Sequence, residues 1–224
     1  MEYPKINTLF KRDLDNLIIP TAYTFEEFEY LENNKFECTE EIDGTNVRVE
    51  LSMVDDELKI EFKGRTDKAV LPEALLARLK KIFTAKKLNN IFKVEDFSEI
   101  TIYGEGYGAK IQGCGVKYIK NGVDFILFDV KCNRWWLDRK ACEDIADQLG
   151  IQIVPLVGYM TIPEAIEYVK KGFKSSIAED SSLNAEGLVL KTPNGLLLRN
   201  GNRIITKIKT CDFVKLKAKY PDYE

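Results

Sequence analysis

An α+β fold, with antiparallel sheets and helices at their periphery, is what this sequence predicts, and two observations carry the prediction. Short runs of period-two apolar alternation recur along the chain, while only three stretches combine a 3.6-residue apolar period with capping signals. No internal repeat, low-complexity tract or Pro/Gly/Ser-rich linker interrupts this pattern, so a single domain over residues 1–224 is expected.

The first alternating run sets Val47, Val49 and Leu51 against Asn46, Arg48 and Glu50, and the second sets Leu58, Ile60 and Phe62 against Lys59, Glu61 and Lys63. They read as two half-buried strands around a turn at Val54–Glu57. Pro72 then opens a helix that gathers Leu75, Leu76, Leu79, Ile82 and Phe83 on one face, with Lys80 and Lys81 opposite. The run DFILFDV at 124–130 is a strand candidate. Asp138 can cap a second helix that buries Cys142, Ile145 and Leu149 before Gly150 stops it. In a third, Thr161-x-x-Glu164 forms a capping box and Gly172 is the stop. GLVLK at 187–191, GLLLR at 195–199 and the segment 203–209 add strands, with Asn194-Gly195 as a hairpin turn signal between the first two.

Composition narrows the function. With 224 residues, 45% hydrophobic and 31% charged, the chain has the make-up of a soluble globular protein. A chain of this size buries roughly 70% of its unfolded surface, so no disulfide or metal staple is needed. A net charge of −3 excludes a uniformly cationic protein that coats nucleic acid, and any such binding must use a local patch. Histidine is absent, which excludes Ser-His-Asp and Cys-His catalysis and every histidine-containing metal site. The five cysteines are scattered without a C-x-x-C pair, as suits a reducing compartment. The first residues lack a basic-then-apolar leader and no apolar run is long enough to span a membrane, so a cytoplasmic protein is expected.

Four segments place a glycine or threonine beside charged residues next to strand-like runs: EEIDGTN at 40–46, YGEGYG at 103–108, AEGLVLK at 185–191 and TKIK at 206–209. Singly, each has an ordinary explanation. Asp43-Gly44 reads as a strand-to-strand turn, the glycines around Glu105 as a bulge or a close backbone approach, and Lys207/Lys209 as the wet face of a strand.

In this order they resemble the RNA ligases of the covalent nucleotidyltransferase superfamily, which also contains DNA ligases and messenger-RNA capping enzymes. The resemblance is strongest to the phage type and runs from about Tyr3 to Phe213. The family's first motif, Lys-x-Asp-Gly in a Glu-Lys-x-Asp-Gly-Thr-Asn setting, is matched by Glu40, Ile42, Asp43, Gly44, Thr45 and Asn46. A following functional arginine corresponds to Arg65 in KGRTDKA. Tyr103-Gly104-Glu105 matches the third motif, Phe125–Asp129 the aromatic strand motif, Glu186-Gly187-Leu188-Val189 the next, and Lys207-Ile208-Lys209 the last. The implied fold is the nucleotidyltransferase (ATP-grasp-like ligase) core alone, with neither an OB-fold nor a helical C-terminal domain.

The resemblance also implies a chemistry. A lysine attacks the α-phosphate of ATP, forming lysyl-AMP and releasing pyrophosphate. AMP then passes to an RNA 5′-phosphate, and a 3′-hydroxyl displaces it to seal the ends. These are phosphoryl transfers, which depend on positioning and charge neutralisation. The nucleotide-binding set is then Ile42, Asp43, Gly44, Asn46, Glu105, Phe128, Glu186, Lys207 and Lys209. Glu105 takes a ribose hydroxyl, Phe128 stacks on adenine, and Arg65, Lys207 and Lys209 act on phosphates as catalytic groups. Glu186 helps to hold Mg2+, an ion that prefers oxygen ligands. The partners implied are ATP and RNA ends or a nicked duplex, with no membrane, and a monomer is expected.

One position departs from the pattern. The nucleophile site holds Glu41, and a carboxylate cannot form the phosphoramidate. Lys35, six residues upstream, is a poor replacement. Self-adenylation is therefore expected to be blocked in this chain, either by a deliberate Lys-to-Glu change, the favoured explanation because every other motif residue is intact, or by natural loss of the first step. The alternatives are a non-catalytic nucleotide- or RNA-end-binding homologue, which Glu41 supports, and a minimal DNA ligase. From Lys191 to Lys219 eight basic residues stand against Asp212 alone, a candidate RNA-facing patch whose binding should weaken with salt; a solvated final helix over VKLKAKY is the plainer reading of its end.

Overall fold

Alternation builds strands where one face can be buried, and the computed structural model, which describes residues 2–55, 57–92 and 99–221, places them in three sheets whose pairings are antiparallel but for one short strand. In chain order the elements are β1 (Phe10–Arg12), β2 (Ile18–Tyr23), α1 (Glu27–Tyr30), β3 (Phe36–Glu41), β4 (Thr45–Val54), β5 (Glu57–Gly64), α2 (Glu73–Ile82), α3 (Ala85–Ile91), β6 (Ile100–Gly108) and α4 (Gly115–Tyr118). They continue with β7 (Val123–Cys132), β8 (Trp135–Trp136), α5 (Arg139–Leu149), β9 (Gln152–Ile153), β10 (Leu156–Met160), α6 (Ile162–Lys171), β11 (Gly187–Lys191), β12 (Ile205–Lys209) and α7 (Thr210–Lys219). The α+β class is as the sequence predicts.

The chain forms two compact units. The first takes Met1–Pro4, Asp43–Val154 and Ala178–Asp180; the second takes Lys5–Ile42, Pro155–Ile177 and Ser181–Glu224.

In the first unit the main sheet has the order β5-β4-β6-β7-β8, with β9 pairing parallel to β7. Val47, Val49 and Leu51 pack with Ile100, Ile102, Phe125 and Leu127 beneath Leu75, Leu79 and Ile82 of α2 and Cys142, Ile145 and Leu149 of α5. The expected caps are in place. Asp138 accepts from the Ala141 N–H at 2.8 Å, and Gly150 ends α5 in the left-handed region at φ 71°. Residues 54 and 57 pair at the end of the β4–β5 hairpin; residue 56 of the expected turn lies outside the described residues.

In the second unit the sheet order is β10-β3-β11-β12, and one face packs Phe36, Cys38, Leu188, Leu190 and Ile208 against Ile162, Ala165 and Val169 of α6 and Phe213 of α7. The Thr161–Glu164 capping box is complete, and Gly172 ends α6. Two sequence expectations need correction. The 195–199 run is not a strand: it turns back on 202–204 through one bridge, Leu197 to Arg203, and two backbone hydrogen bonds, Leu198 N–H to the Asn202 carbonyl at 2.6 Å and Ile204 N–H to the Leu196 carbonyl at 3.0 Å, while β3 and β12 occupy both edges of β11. Asn194-Gly195 does form a turn, closed by Gly195 N–H donating to the Thr192 carbonyl at 3.0 Å, but not a hairpin between strands. The last strand begins at Ile205 rather than at residue 203.

Candidate active site

In the second unit, β3, β11 and β12 lie side by side in register, Glu41 opposite Gly187 and Gly187 opposite Lys209; Thr39, Val189 and Lys207 form the next row. Residues paired across an antiparallel sheet share a face, so Glu41, Lys207 and Lys209 project together, away from the Leu188–Ile208 core. Gly187 in the middle has no side chain to separate them. A Cβ there would lie 2.0 Å from the Ile208 carbonyl oxygen, which explains the glycine. Lys207 Nζ donates to Glu41 Oε1 at 2.8 Å, Lys209 Nζ is 3.6 Å from the same oxygen, and Lys209 also pairs with Glu186.

Glu41 is nine-tenths buried, and its Oε2 is buried without a hydrogen-bond partner among the described residues. Burial first, and the Glu186 charge second, push its carboxyl above the ordinary range, while Lys207 and Lys209 pull it back. Against the burial that would lower it, the Glu41 and Glu186 carboxylates hold the Lys209 ammonium above its ordinary value. Lys35 is committed elsewhere, to Glu164 at 2.6 Å. Glu40, next along β3, points to the opposite side, where Ser175 Oγ donates to it at 2.5 Å and Ser176 N–H and Oγ at 3.0 and 2.8 Å. Nothing in the sequence marks either serine as a partner of Glu40. Ile42 is buried at the end of this unit's first segment.

In the first unit, Asp43 and Gly44 lead into β4. Tyr118 hydroxyl accepts from the Asp43 N–H at 3.3 Å, and Gln112 Nε2 donates to the Gly44 carbonyl at 3.1 Å. A Cβ on Gly44 would lie 2.4 Å from the Gly106 carbonyl oxygen, so β6 passes too close for any side chain here. Across β4, β6 and β7, Asn46, Glu105 and Ile126 stand in one row on the face opposite the core. Asn46 Oδ1 is buried with no partner among the described residues. Ile126 lies within the Phe125–Asp129 motif but is not in the nucleotide-binding set, since a continuous apolar run does not show which of its residues face away from the core.

Both readings of the YGEGYG glycines hold. The β6–β7 register shifts between Tyr103 and Gly104, and a Cβ on Gly104 would lie 2.2 Å from Phe125 Cζ. The shift places Phe128 among aromatic rings, edge-on to Tyr3 at 4.9 Å, while Tyr3 hydroxyl donates to Asp129 at 2.5 Å. Arg65 is exposed in the bend after β5. Arg48, which the sequence reading passed over as a strand residue, is buried and holds that bend: its Nε donates to the Gly64 carbonyl at 2.9 Å and its Nη2 to Asp67 at 2.6 Å.

The basic stretch is less basic than its composition. Lys191 pairs with Glu37, Lys207 with Glu41, Lys209 with Glu186 and Lys219 with Asp15, while Arg12 takes Asp212. Among the described residues no three His, Cys, Asp or Glu side chains group to hold a metal ion, and no helix is long and apolar enough to cross a membrane.

This arrangement is a β3–β11–β12 face that brings two lysines and a glutamate to one motif position. A family model for RNA ligase matches residues 34–209. The chain belongs to the RNA ligase family. Among solved structures it is similar to a mutant RNA ligase of Naegleria gruberi with ATP and Mn, at TM-score 0.61 and 19% identity over 99% of this chain and 60% of that one. It is similar also to the Naegleria gruberi RNA ligase with PPi, at TM-score 0.60 and 19% identity over 99% of this chain and 64% of that one. A further mutant of that ligase, with AMP and Mn, matches at TM-score 0.60 and 18% identity over 98% and 64% of the two chains. At such identities the likeness is one of fold, and the chain spans about three fifths of the length of these ligases. No curated protein matches it in sequence.

Proposed function

We propose that the chain is the nucleotidyltransferase core of an ATP-dependent RNA ligase of the phage type, silent in its first step. The observation that carries this is the convergence of Lys207 and Lys209 on the side chain at position 41, where a nucleophilic lysine would meet the α-phosphate. In this reading the two lysines neutralise phosphate charge, Asn46 and Glu105 hold the nucleoside, Phe128 stacks on the base, and Arg65 reaches the phosphates. Asp43, Gly44 and Ile42 set the backbone of the turn. With glutamate at 41 no lysyl-AMP forms, so ATP and a plain 5′-phosphate are not joined. Sealing of an RNA end that arrives already adenylated needs no lysine nucleophile and is retained.

Magnesium is the ion we assign to this chemistry. The side chains fit an ion carried by phosphates rather than one caged by protein, since among the described residues Glu186 is one carboxylate without two others grouped around it. Glu186 would hold the ion, which when bound neutralises phosphate charge.

The test is intact-protein mass after incubation with ATP and magnesium, on this chain and on Glu41→Lys. An AMP adduct on the lysine variant alone supports the reading. No adduct on either, with no sealing of adenylated RNA, overturns it in favour of a binding homologue, the reading that the seated Glu41 carboxylate would then carry. Strand identity is read from nicks with RNA or DNA at the 3′-hydroxyl. A lysine codon at position 41 in the source gene would make Glu41 an introduced change, and a glutamate codon would make it resident.

A further inference from the structure

The quartet in the second unit is electrically closed. Lys207 and Lys209 supply two positive charges, and Glu41 and Glu186 supply two negative ones within the same set of ion pairs. Glu41 is buried in the sheet face and presents one oxygen to both ammonium groups, at 2.8 and 3.6 Å, as a phosphate oxygen would. An incoming polyphosphate would have to displace that carboxylate or lie beside it, and like charges at such distances repel strongly where water is excluded. Adenosine, which carries no charge, meets no such opposition. The second carboxylate oxygen, buried and unpartnered among the described residues, can accept a hydrogen bond from a hydroxyl or protonated group and none from a deprotonated phosphate oxygen.

Resting on the adenine-nucleotide reading above, we propose that Glu41 sets the ligand class of this site: it stands in for a phosphate on Lys207 and Lys209 and so selects adenosine and weakly charged adenylates against nucleoside triphosphates. The loss at position 41 is then more than a missing nucleophile. It changes what the site holds, from a triphosphate donor to adenosine or an adenylate of lower charge.

The experiment is calorimetric titration of the chain and of Glu41→Gln with adenosine, AMP, ATP and inorganic tripolyphosphate, in mildly alkaline buffer, which favours the Glu41 carboxylate. Glutamine keeps the size and an acceptor for Lys207 while removing the charge. ATP and tripolyphosphate should each bind Glu41→Gln about tenfold or more tighter than the unaltered chain, with adenosine affinity the same in both. Removing Lys207 as well, in Glu41→Gln/Lys207→Met, should abolish the gain, whereas Lys207→Met alone leaves Glu41 and Glu186 against Lys209 and should weaken ATP binding further. An ATP-to-adenosine affinity ratio that is the same in the chain and in Glu41→Gln overturns the proposal. If neither protein binds adenosine, it is the adenine reading that falls, and the tripolyphosphate arm still decides the role of Glu41. Should Glu41→Gln fail to fold, Glu41→Ala gives the same comparison.

Discussion

Asn46 and Glu105 stand opposite each other across β4 and β6, on the face of the first unit's sheet that the core leaves free. The two residues lie 59 positions apart in sequence, in separate motifs, and register alone brings them together. Asn46 Oδ1 is buried and unpartnered among the described residues, an arrangement that costs stability unless a ligand supplies a donor. Asn46→Ala is therefore expected to leave thermal stability unchanged or slightly higher, and to weaken adenosine binding about tenfold, the effect of losing one hydrogen bond of ~1.4 kcal/mol. Unaltered adenosine affinity in calorimetry would remove Asn46 from the nucleoside site.

The motif residues were legible because chemistry restricts residue type at fixed positions, and their pairing followed from alternation, which set Lys207 and Lys209 on one face. Strand β3 was not legible. Its sequence FECTEE alternates only over Phe36–Thr39 and then ends in two glutamates, too short a pattern to mark a strand, yet every residue in it is buried. Each carboxylate meets a partner from a distant part of the second unit: Glu37 meets Lys191, Glu40 meets Ser175 and Ser176, and Glu41, through Oε1 alone, meets Lys207. No local signal encodes such partners. GLLLR at 195–199 misled for the opposite reason, because its apolar composition is that of a strand while Leu196 and Leu197 remain exposed, the edges of β11 being taken.

The glycines of β6 differ in what surrounds them, and stability should rank accordingly. A Cβ on Gly104 meets the Phe125 ring at 2.2 Å and the Ile126 carbonyl oxygen at 2.3 Å, neither able to retreat within the sheet. Gly104→Ala should cost about 2 kcal/mol or more, a fall in Tm of roughly 4–8 °C. On Gly106 the Cβ meets Leu75 Cδ2 at 2.3 Å, a side chain that can turn, so Gly106→Ala should cost less. Gly113 has nothing within 4 Å and serves as the control. Calorimetric melting of the three variants checks the order, and equal shifts for Gly104→Ala and Gly113→Ala would contradict the close approach.

Arg48 fastens the bend that carries Arg65. Its guanidinium reaches the Gly64 carbonyl, Glu50 at 2.9 Å and Asp67 at 2.6 Å, and the side chain itself is 1% exposed. Asp67 is 70% exposed, so its ion pair contributes little; the stabilisation lies in the buried fork. Arg48→Lys keeps the charge and cannot span three acceptors. We expect it to cost about 2 kcal/mol and to speed amide exchange over residues 64–67. The Asp67 carboxyl, held below its ordinary range by its hydrogen bond to Arg48, should rise toward that range. Exchange rates in this bend that match the unaltered chain would show that Arg48 does not hold Arg65 in place.

Stability of α6 should depend on pH through Glu164. Lys35 first, and then the Thr161 N–H of the capping box, hold this exposed carboxyl at about 2 against an ordinary value of 4.5. A carboxyl whose folded value is depressed contributes stability that is complete above its unfolded value and is lost as pH falls through the folded one. The contribution of Glu164 is thus present at neutral pH and disappears between 4.5 and about 2. Glu164→Gln removes the charge and leaves the rest of the cap, so its Tm should lie below that of the unaltered chain at neutral pH. The two should converge toward the acid end of that window. High salt should narrow the neutral-pH gap as well, because the Lys35 partner is half exposed and screened. A gap that stays constant from neutral pH down to about 2 would mean that Glu164 acts through its hydrogen bonds alone and not through its charge.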